Sequence, residues 1–403
     1  MISNIQLGLE KALVYFMLFP LPIFVAGNSF SSAFFVYELL IVVMCLLAFL
    51  EVNRKYNSLL LIACGCCLSV IVVTYFNSIV AYPEYNKYLT YGCFKGFLFV
   101  FVALFVKYLS TSDFRCSDLV IFIIFQAAFI FNAIGVVDFS LLDYSSSLFR
   151  EEDVYNEEVF RREYFLTNNK NMTFIMSMFF ILLSIIKIRK KIAIELSLIL
   201  LLLSILSLLL SGSKTDQLSL VLSIAAVFFL KINIRGKFLS IFLLLPLVSY
   251  IYVYIESALM RDGGSTLSHR VSEWGVVIGY MIENPASFIL GYGLNGYRIL
   301  NHELGLAMGF GHNSYIQLLV EIGYLGLFLV FFIFFHKVLS VRVTGYLKWL
   351  LCVFVMQRLI AMLSTDVYFA TDYMASTTLF IFLILTMIKN EEVNCRISYA
   401  KLT

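Results

Sequence analysis

Long apolar runs recur along the whole chain, and no other feature limits its fold as much. A helix needs roughly 20 mostly apolar residues to cross a bilayer's hydrocarbon core. Backbone groups in lipid find no water, so only helices or a closed barrel can span it. The runs here are continuous rather than alternating with a period of two. That selects helices and excludes an outer-membrane barrel. Composition agrees: of 403 residues, 61% are hydrophobic and 14% charged. So few charges could not cover a soluble domain of this size. The expected fold class is an all-α polytopic membrane protein.

We read about a dozen spans, at 12–27, 31–50, 58–76, 89–107, 118–138, 171–187, 192–211, 217–231, 238–256, 313–335, 347–364 and 374–388. Net charge is +3, and its placement matters more than its size. With both termini cytoplasmic, the inner segments hold Lys11; Arg54 and Lys55; Lys107 and Arg115; Lys187, Arg189, Lys190 and Lys191; Lys231, Arg235 and Lys237; Lys337, Arg342 and Lys348; and Lys389, Arg396 and Lys401. Most basic residues thus fall on one side, as the positive-inside rule expects. The first apolar stretch has no small-residue cleavage site and a second span follows closely, so it reads as an anchor rather than a signal peptide. In this topology no cysteine lies in an outer loop, and no disulfide framework is expected. The Cys64-Gly65-Cys66-Cys67 cluster sits in an apolar run without partner ligands and reads as small core residues.

Two outer loops are long, and long loops in compact proteins usually carry function. Loop 139–170 is acidic, with Glu151, Glu152, Asp153, Glu157, Glu158 and Glu163. Loop 257–312, between the ninth and tenth spans, contains Arg261, Arg270, Trp274, Arg298, His302 and a run of glycines. Its apolar stretches, such as Val276-Val277-Ile278-Gly279-Tyr280, predict short helices lying on the membrane surface. The chain reads as one multi-span domain, residues 1–403, without an internal repeat.

Charge inside a span is costly and marks a functional candidate. Glu38, Lys95, Glu195, Glu321 and Arg358 lie away from span ends. Lys95 sits about 8 Å below the outer end of its helix at a rise of ~1.5 Å per residue, and Arg358 at a similar depth. Lys214 occupies the short outer turn Ser211-Gly212-Ser213-Lys214-Thr215-Asp216. Arg270, Arg298 and His312 lie in the loop above. These groups collect at the outer leaflet boundary, which suits a lipid-linked phosphate or pyrophosphate headgroup. The alternative is that Lys95 pairs with Glu38 or Glu321, while Lys214 and Arg298 reach lipid headgroups.

Three segments carry a resemblance. Gly311-His312-Asn313-Ser314-Tyr315-Ile316-Gln317-Leu318-Leu319-Val320-Glu321-Ile322-Gly323-Tyr324-Leu325-Gly326-Leu327 runs from the loop into the tenth span. It resembles the His-Asn…Glu-x-Gly-x-x-Gly-Leu signature of the O-antigen ligase/polymerase superfamily. Ser211-Gly212-Ser213-Lys214-Thr215 is similar to that family's Ser-x-Ser-Arg-Thr segment, with lysine in place of arginine. Lysine keeps the charge but loses bidentate geometry. His269-Arg270-Val271-Ser272-Glu273-Trp274, followed by Glu283-Asn284-Pro285 and Gly291-Tyr292-Gly293, resembles its loop segment. Asn168-Asn169-Lys170-Asn171 is a weaker echo of its Asn-rich helix start.

The resemblance implies a glycosyltransferase of the bacterial inner membrane, with its active site periplasmic. Such an enzyme moves glycan from undecaprenyl pyrophosphate to a sugar hydroxyl, using no metal, nucleotide sugar or other cofactor. In these terms His312 and Arg270 are catalytic. Lys214, Arg270, Arg298, Lys95 and Arg358 hold pyrophosphate, and Asn313 and Glu321 support. His269 is the alternative base. The implied partners are the lipid-linked glycan, an acceptor glycan or lipid A–core, membrane lipids and a chain-length regulator. Nothing calls for nucleic acid. The His312 segment looks most like the repeat-unit polymerases; a ligase onto lipid A–core is the alternative. A flippase would need polar residues through the whole bilayer, whereas the intramembrane charges cluster in its outer half.

Overall fold

The computed structural model describes residues 2–18, 22–23, 34–35, 39–44, 47, 58–106, 108–134, 170–211, 213–231, 266–306, 313–341, 345–363 and 381–391. Prolines set the first departure from expectation. Span 12–27 was drawn through Pro20 and Pro22, but proline lacks the amide donor and clashes with the preceding turn. Helix α1 accordingly covers Ile2–Leu18. Beyond it Pro22–Ile23 (β1) pairs antiparallel with Phe34–Phe35 (β2). The expected span 31–50 differs as well: 34–35 are extended, and among the described residues the helical ones are 39–44 and 47.

Downstream the apolar runs become helices close to where they were expected. These are α2 (Ser58–Ala81), α3 (Asn86–Phe105), α4 (Cys116–Ala133), α5 (Lys170–Arg189), α6 (Ile194–Leu210) and α7 (Lys214–Lys231). Three more form within the long loop: α8 (Thr266–Glu283), α9 (Pro285–Leu290) and α10 (Tyr297–Leu304). Then follow α11 (Ser314–Ser340), α12 (Gly345–Ala361) and a helical segment at 381–391. Among the described residues, four helical stretches are long and apolar enough to cross a membrane: Ser58–Ala81, Tyr88–Phe105, Cys116–Ala133 and Ser314–Ser340. The protein is an integral membrane protein. The expected span 238–256 and the acidic residues of loop 139–170 lie outside the described residues.

Lipid offers no hydrophobic drive for helices to associate, so close fit and polar contacts must do it. Helix α6 packs against α4 and α5. The face it buries is Ser197, Leu200, Ser204, Ser207 and Leu208. That spacing of three to four forms one helical stripe, and its serines let neighbouring backbones approach. Phenylalanines fill the space beside it: Phe122 lies 4.8 Å from Phe180 and 5.5 Å from Phe114, centroid to centroid.

One end of the bundle is stitched by charge. The connection from Val106 to Asp118 collects the partners. Lys11 pairs with Asp118 at 2.7 Å, and Lys187 donates to the Phe114 carbonyl at 2.7 Å. The buried Glu10 carboxylate accepts the N–H groups of Tyr108 and Leu109 at 2.8 and 2.7 Å. Glu391 accepts from Thr111 and pairs with Lys190. The opposite ends of α2 and α3 meet the loop helices around a second core. There Val277, Met281, Tyr292, Tyr297 and Leu300 pack with Leu89, Ile316 and Val320.

Candidate active site

Helix α11 begins immediately after His312. The Asn313 side chain accepts the N–H groups of Tyr315 (3.0 Å) and Ile316 (3.2 Å), an N-cap worth about 1 kcal/mol. The Ser314 N–H donates to the Met362 carbonyl at 2.9 Å. The Tyr315 hydroxyl donates to the Leu359 carbonyl at 2.9 Å. The start of α11 is therefore tied to the end of α12.

The start of α7 is tied to the same place. Ser213 Oγ donates to Asp216 Oδ2 at 2.6 Å, and Arg358 Nη2 of α12 reaches Asp216 Oδ1 at 2.6 Å. Gln357 Nε2 donates to the same Oδ1 (3.2 Å) and to Ser219 Oγ (2.9 Å). Arg358 Nε donates to Gln357 Oε1 at 2.5 Å. Its guanidinium lies 5.6 Å from the ring centroid of Phe174, in the first turns of α5. Ser213, Asp216, Gln357 and Arg358 are all buried. Desolvating an ion pair costs several kcal/mol per ion, and such a pair persists only when hydrogen bonds surround it. Here they do, although Arg358 Nη1 finds no acceptor among the described residues. Arg358 thus links the starts of three helices: α5, α7 and, through the end of its own helix, α11.

A second joint lies two turns into α11. Gly323 adopts φ 66° and ψ −178°, a conformation essentially restricted to glycine, and the helix breaks there. At the break the Val320 carbonyl accepts the Tyr292 N–H at 2.8 Å. Gly291, at φ 81°, lies against the Glu321 backbone, where an added Cβ would come within 2.6 Å. A Cβ on Gly323 would come within 2.2 Å of the Ile289 carbonyl oxygen. The Glu-x-Gly and Gly-x-Gly segments are two halves of one joint. Glu321 is buried and its carboxylate accepts from Gln317 Nε2 at 3.1 Å.

Beyond the joint, the loop wedges into α3. Gly92 and Gly96 leave the space that Leu294 fills, and Asn295 Nδ2 donates to the Tyr88 carbonyl at 3.0 Å. Arg298 lies 4.5 Å from the Tyr88 ring centroid, and Lys95 Nζ 4.8 Å from that of Tyr91. Positions 88, 91 and 95 share one face of a helix, so both cations stack along one stripe of α3. Lys95 is buried, whereas Arg298 is partly exposed. At the rim, Tyr82 donates to Glu303 Oε1 at 2.6 Å and Tyr280 to Oε2 at 3.3 Å. Burial, and then the hydrogen bond to Glu303, raises the Tyr82 phenol above its ordinary range. Burial and a hydrogen bond with Tyr280 do the same to Tyr292.

His312 lies outside the described residues. Lys214 opens α7, and His269 and Arg270 lie in α8, but their side chains are outside the described set. Of the expected cations, Lys95 and Arg358 are buried in the protein rather than open to the loop. Sequence reading missed Asp216 and Gln357. Asp216 follows Ser213 by three positions and looks like an ordinary capping residue. The readable signal was the dipeptide Gln357-Arg358 inside an apolar helix. Among the described residues no group of His, Cys, Asp and Glu could hold a metal ion.

No curated protein matches the chain. Residues 198–331 match the family model Wzy_C, described as O-Antigen ligase. That segment runs from α6 to the middle of α11 and contains the Lys214, Arg270, Gly291–Gly293 and His312 motifs, so over this third of the chain the match supports the resemblance to the O-antigen ligase/polymerase superfamily.

Proposed function

We propose that this protein joins undecaprenyl-pyrophosphate-linked oligosaccharide repeat units into O-antigen or a related polysaccharide at the periplasmic face of the bacterial inner membrane. The observation that carries the reading is the meeting of two motif-bearing helix starts, those of α7 and α11, on the end of α12. That meeting brings the start of α7, which Lys214 opens, to the same helix end as Ser314, two positions after His312 in the sequence. In the proposed reaction His312 takes the proton of the acceptor hydroxyl. The acceptor oxygen bonds to the donor's anomeric carbon, and the bond from that carbon to pyrophosphate breaks. An imidazole with an ordinary pKa near ~6.5 suits this transfer near neutral pH. Lys214, Arg270 and Arg298 meet the charge growing on the leaving pyrophosphate. Lys95 and Arg358 act from behind this surface. Asn313 and Glu321 hold the histidine's helix.

Removing a general base costs roughly 10²–10⁴-fold in rate. His312→Ala and Arg270→Ala should therefore lower product formation by about 100-fold or more while the protein still inserts; full activity in both would defeat the assignment. Lys214→Arg should be tolerated and Lys214→Glu should not. The family's description as ligase favours the second reading, transfer of finished glycan to lipid A–core. Deleting the gene in its host and running lipopolysaccharide on a gel separates the two. Core bearing a single repeat means the polymerase is missing. Bare core, with long glycan still on its lipid carrier, means the ligase is missing.

A further inference from the structure

We infer that the Asp216–Arg358 ion pair is a positioning device that sets the separation between the Lys214 turn and the start of α11, the helix that follows His312 in the sequence. The inference rests on the transferase reading above. Asp216 lies two residues after Lys214 and, through Ser213, fixes the turn that Lys214 ends. Arg358 lies on the last turn of α12, whose Leu359 and Met362 carbonyls hold Tyr315 and Ser314. His312 is two residues from Ser314. The pair therefore forms a path, two side chains long, between the start of α7 and the start of α11. Gln357 braces it from Asp216 and Ser219 on one side, and the Phe174 ring lies against the guanidinium on the other.

Neither charge faces solvent. A pair needed only to join α7 to α12 could be replaced by apolar residues of similar volume, often without loss of stability. What an apolar contact would not supply is direction. The carboxylate accepts from Ser213, Gln357 and Arg358, and so fixes the rotation of α7 about its own axis as well as its distance from α12. Transfer needs the acceptor oxygen and the pyrophosphate held in attacking geometry. A displacement of 1 Å can cost about 100-fold in rate.

The test uses the full-length protein in detergent, with the lipid-linked repeat unit extracted from a host lacking this gene as donor. Four forms are compared per folded molecule: wild type, Asp216→Asn, His312→Ala and the double variant. Asp216→Asn should lower kcat by about 100-fold with the donor KM changed little. In the His312→Ala background its effect should be much smaller, because it acts through the placement of that histidine relative to the Lys214 turn. Should Asp216→Asn fail to fold, the charge-neutral Asp216→Asn/Arg358→Gln protein replaces it, since that variant leaves no unpaired buried charge. Wild-type turnover per folded molecule would make the pair a structural tie only and overturn the inference. Losses that multiply in the double variant would overturn it too. Full activity in His312→Ala alone would overturn the transferase assignment, and this inference with it.

Discussion

Gly323→Ala should be among the most damaging single-methyl changes available to this protein. At φ 66° and ψ −178°, an alanine would hold a backbone state costing about 1–3 kcal/mol. Its Cβ would also sit 2.2 Å from the Ile289 carbonyl oxygen. That atom is backbone and cannot rotate aside, so the α9 turn must move. Moving it breaks the Tyr292–Val320 hydrogen bond, a further net loss of about 0.5–1.5 kcal/mol. A total of about 1.5–4.5 kcal/mol changes the folded-to-unfolded ratio roughly 10- to 1,600-fold. The matched control is Gly279→Ala. Gly279 is a helical glycine of α8 with nothing within 4 Å of its would-be Cβ, and there alanine should stabilise by about 0.5–1 kcal/mol. The assay is thermal unfolding of the purified protein in one detergent, read by loss of the monodisperse peak. The two methyl groups should shift the midpoint in opposite directions. Equal midpoints for Gly323→Ala and wild type would refute the break in α11.

On α3, Gly92→Ala should destabilise more than Gly96→Ala. The first methyl would meet the Leu294 backbone oxygen at 2.5 Å, the second side-chain atoms, the flexible tip of Leu294 at 2.4 Å and Ile71 at 3.0 Å; unfolding midpoints compared side by side decide it. Asn313→Ala should lose about 1 kcal/mol of stability, while Asn313→Asp keeps the cap and adds favourable charge at the helix start. Activity of Asn313→Ala should fall further than its midpoint suggests, since the cap adjoins His312. Tyr82 and Tyr292 carry raised pKa values, so the folded state favours their protonated forms. Their contribution to stability is complete below the ordinary phenol pKa of about 10 and is lost as pH rises above it. Midpoints should stay level between about pH 7 and 9 with respect to these groups. Above about pH 10 they should fall, less steeply in Tyr82→Phe.

The helical, membrane-spanning class was legible because apolar run length is a local property. Among the described residues, the helices after residue 58 lie near their expected spans for the same reason. The first was misplaced because hydropathy is blind to backbone chemistry. Pro20 and Pro22 are apolar enough to extend a run but cannot extend a helix. The motifs were legible as strings, but their connections were not. Arg358 stood out as a charge in an apolar helix, and Glu321, a buried acid of α11, would have been as natural a partner for it as for Lys95. The structure pairs Arg358 with Asp216 instead. Register between helices far apart in sequence leaves no periodic trace, so no spacing rule could choose between the two acids. The same holds for the glycines. Gly323 and Gly291 each signal a special backbone, but neither signals that it touches the other.

The break at Gly323 explains how one helix can serve two cores. Ahead of it, Ile316 and Val320 face the core of the loop helices, while Leu318 and Ile322 face the core of the bundle. Positions two apart lie nearly opposite on a helix, so this half of α11 is buried on both sides. It is held at its start by Met362 and at its end by Tyr292. After the break, Val330, Ile333 and Phe334 belong to the bundle alone. A straight helix would make the direction of its first half follow from packing much deeper in the membrane. A break supported on both sides lets the loop helices and the end of α12 set that direction instead. Substitutions deep in α11, such as at Ile333, should therefore lower stability without changing turnover per folded molecule. Substitutions at Val320 or Ile316 should change both. If Ile333→Ala altered turnover as much as Val320→Ala, the two halves would be mechanically continuous and the break would have no functional meaning.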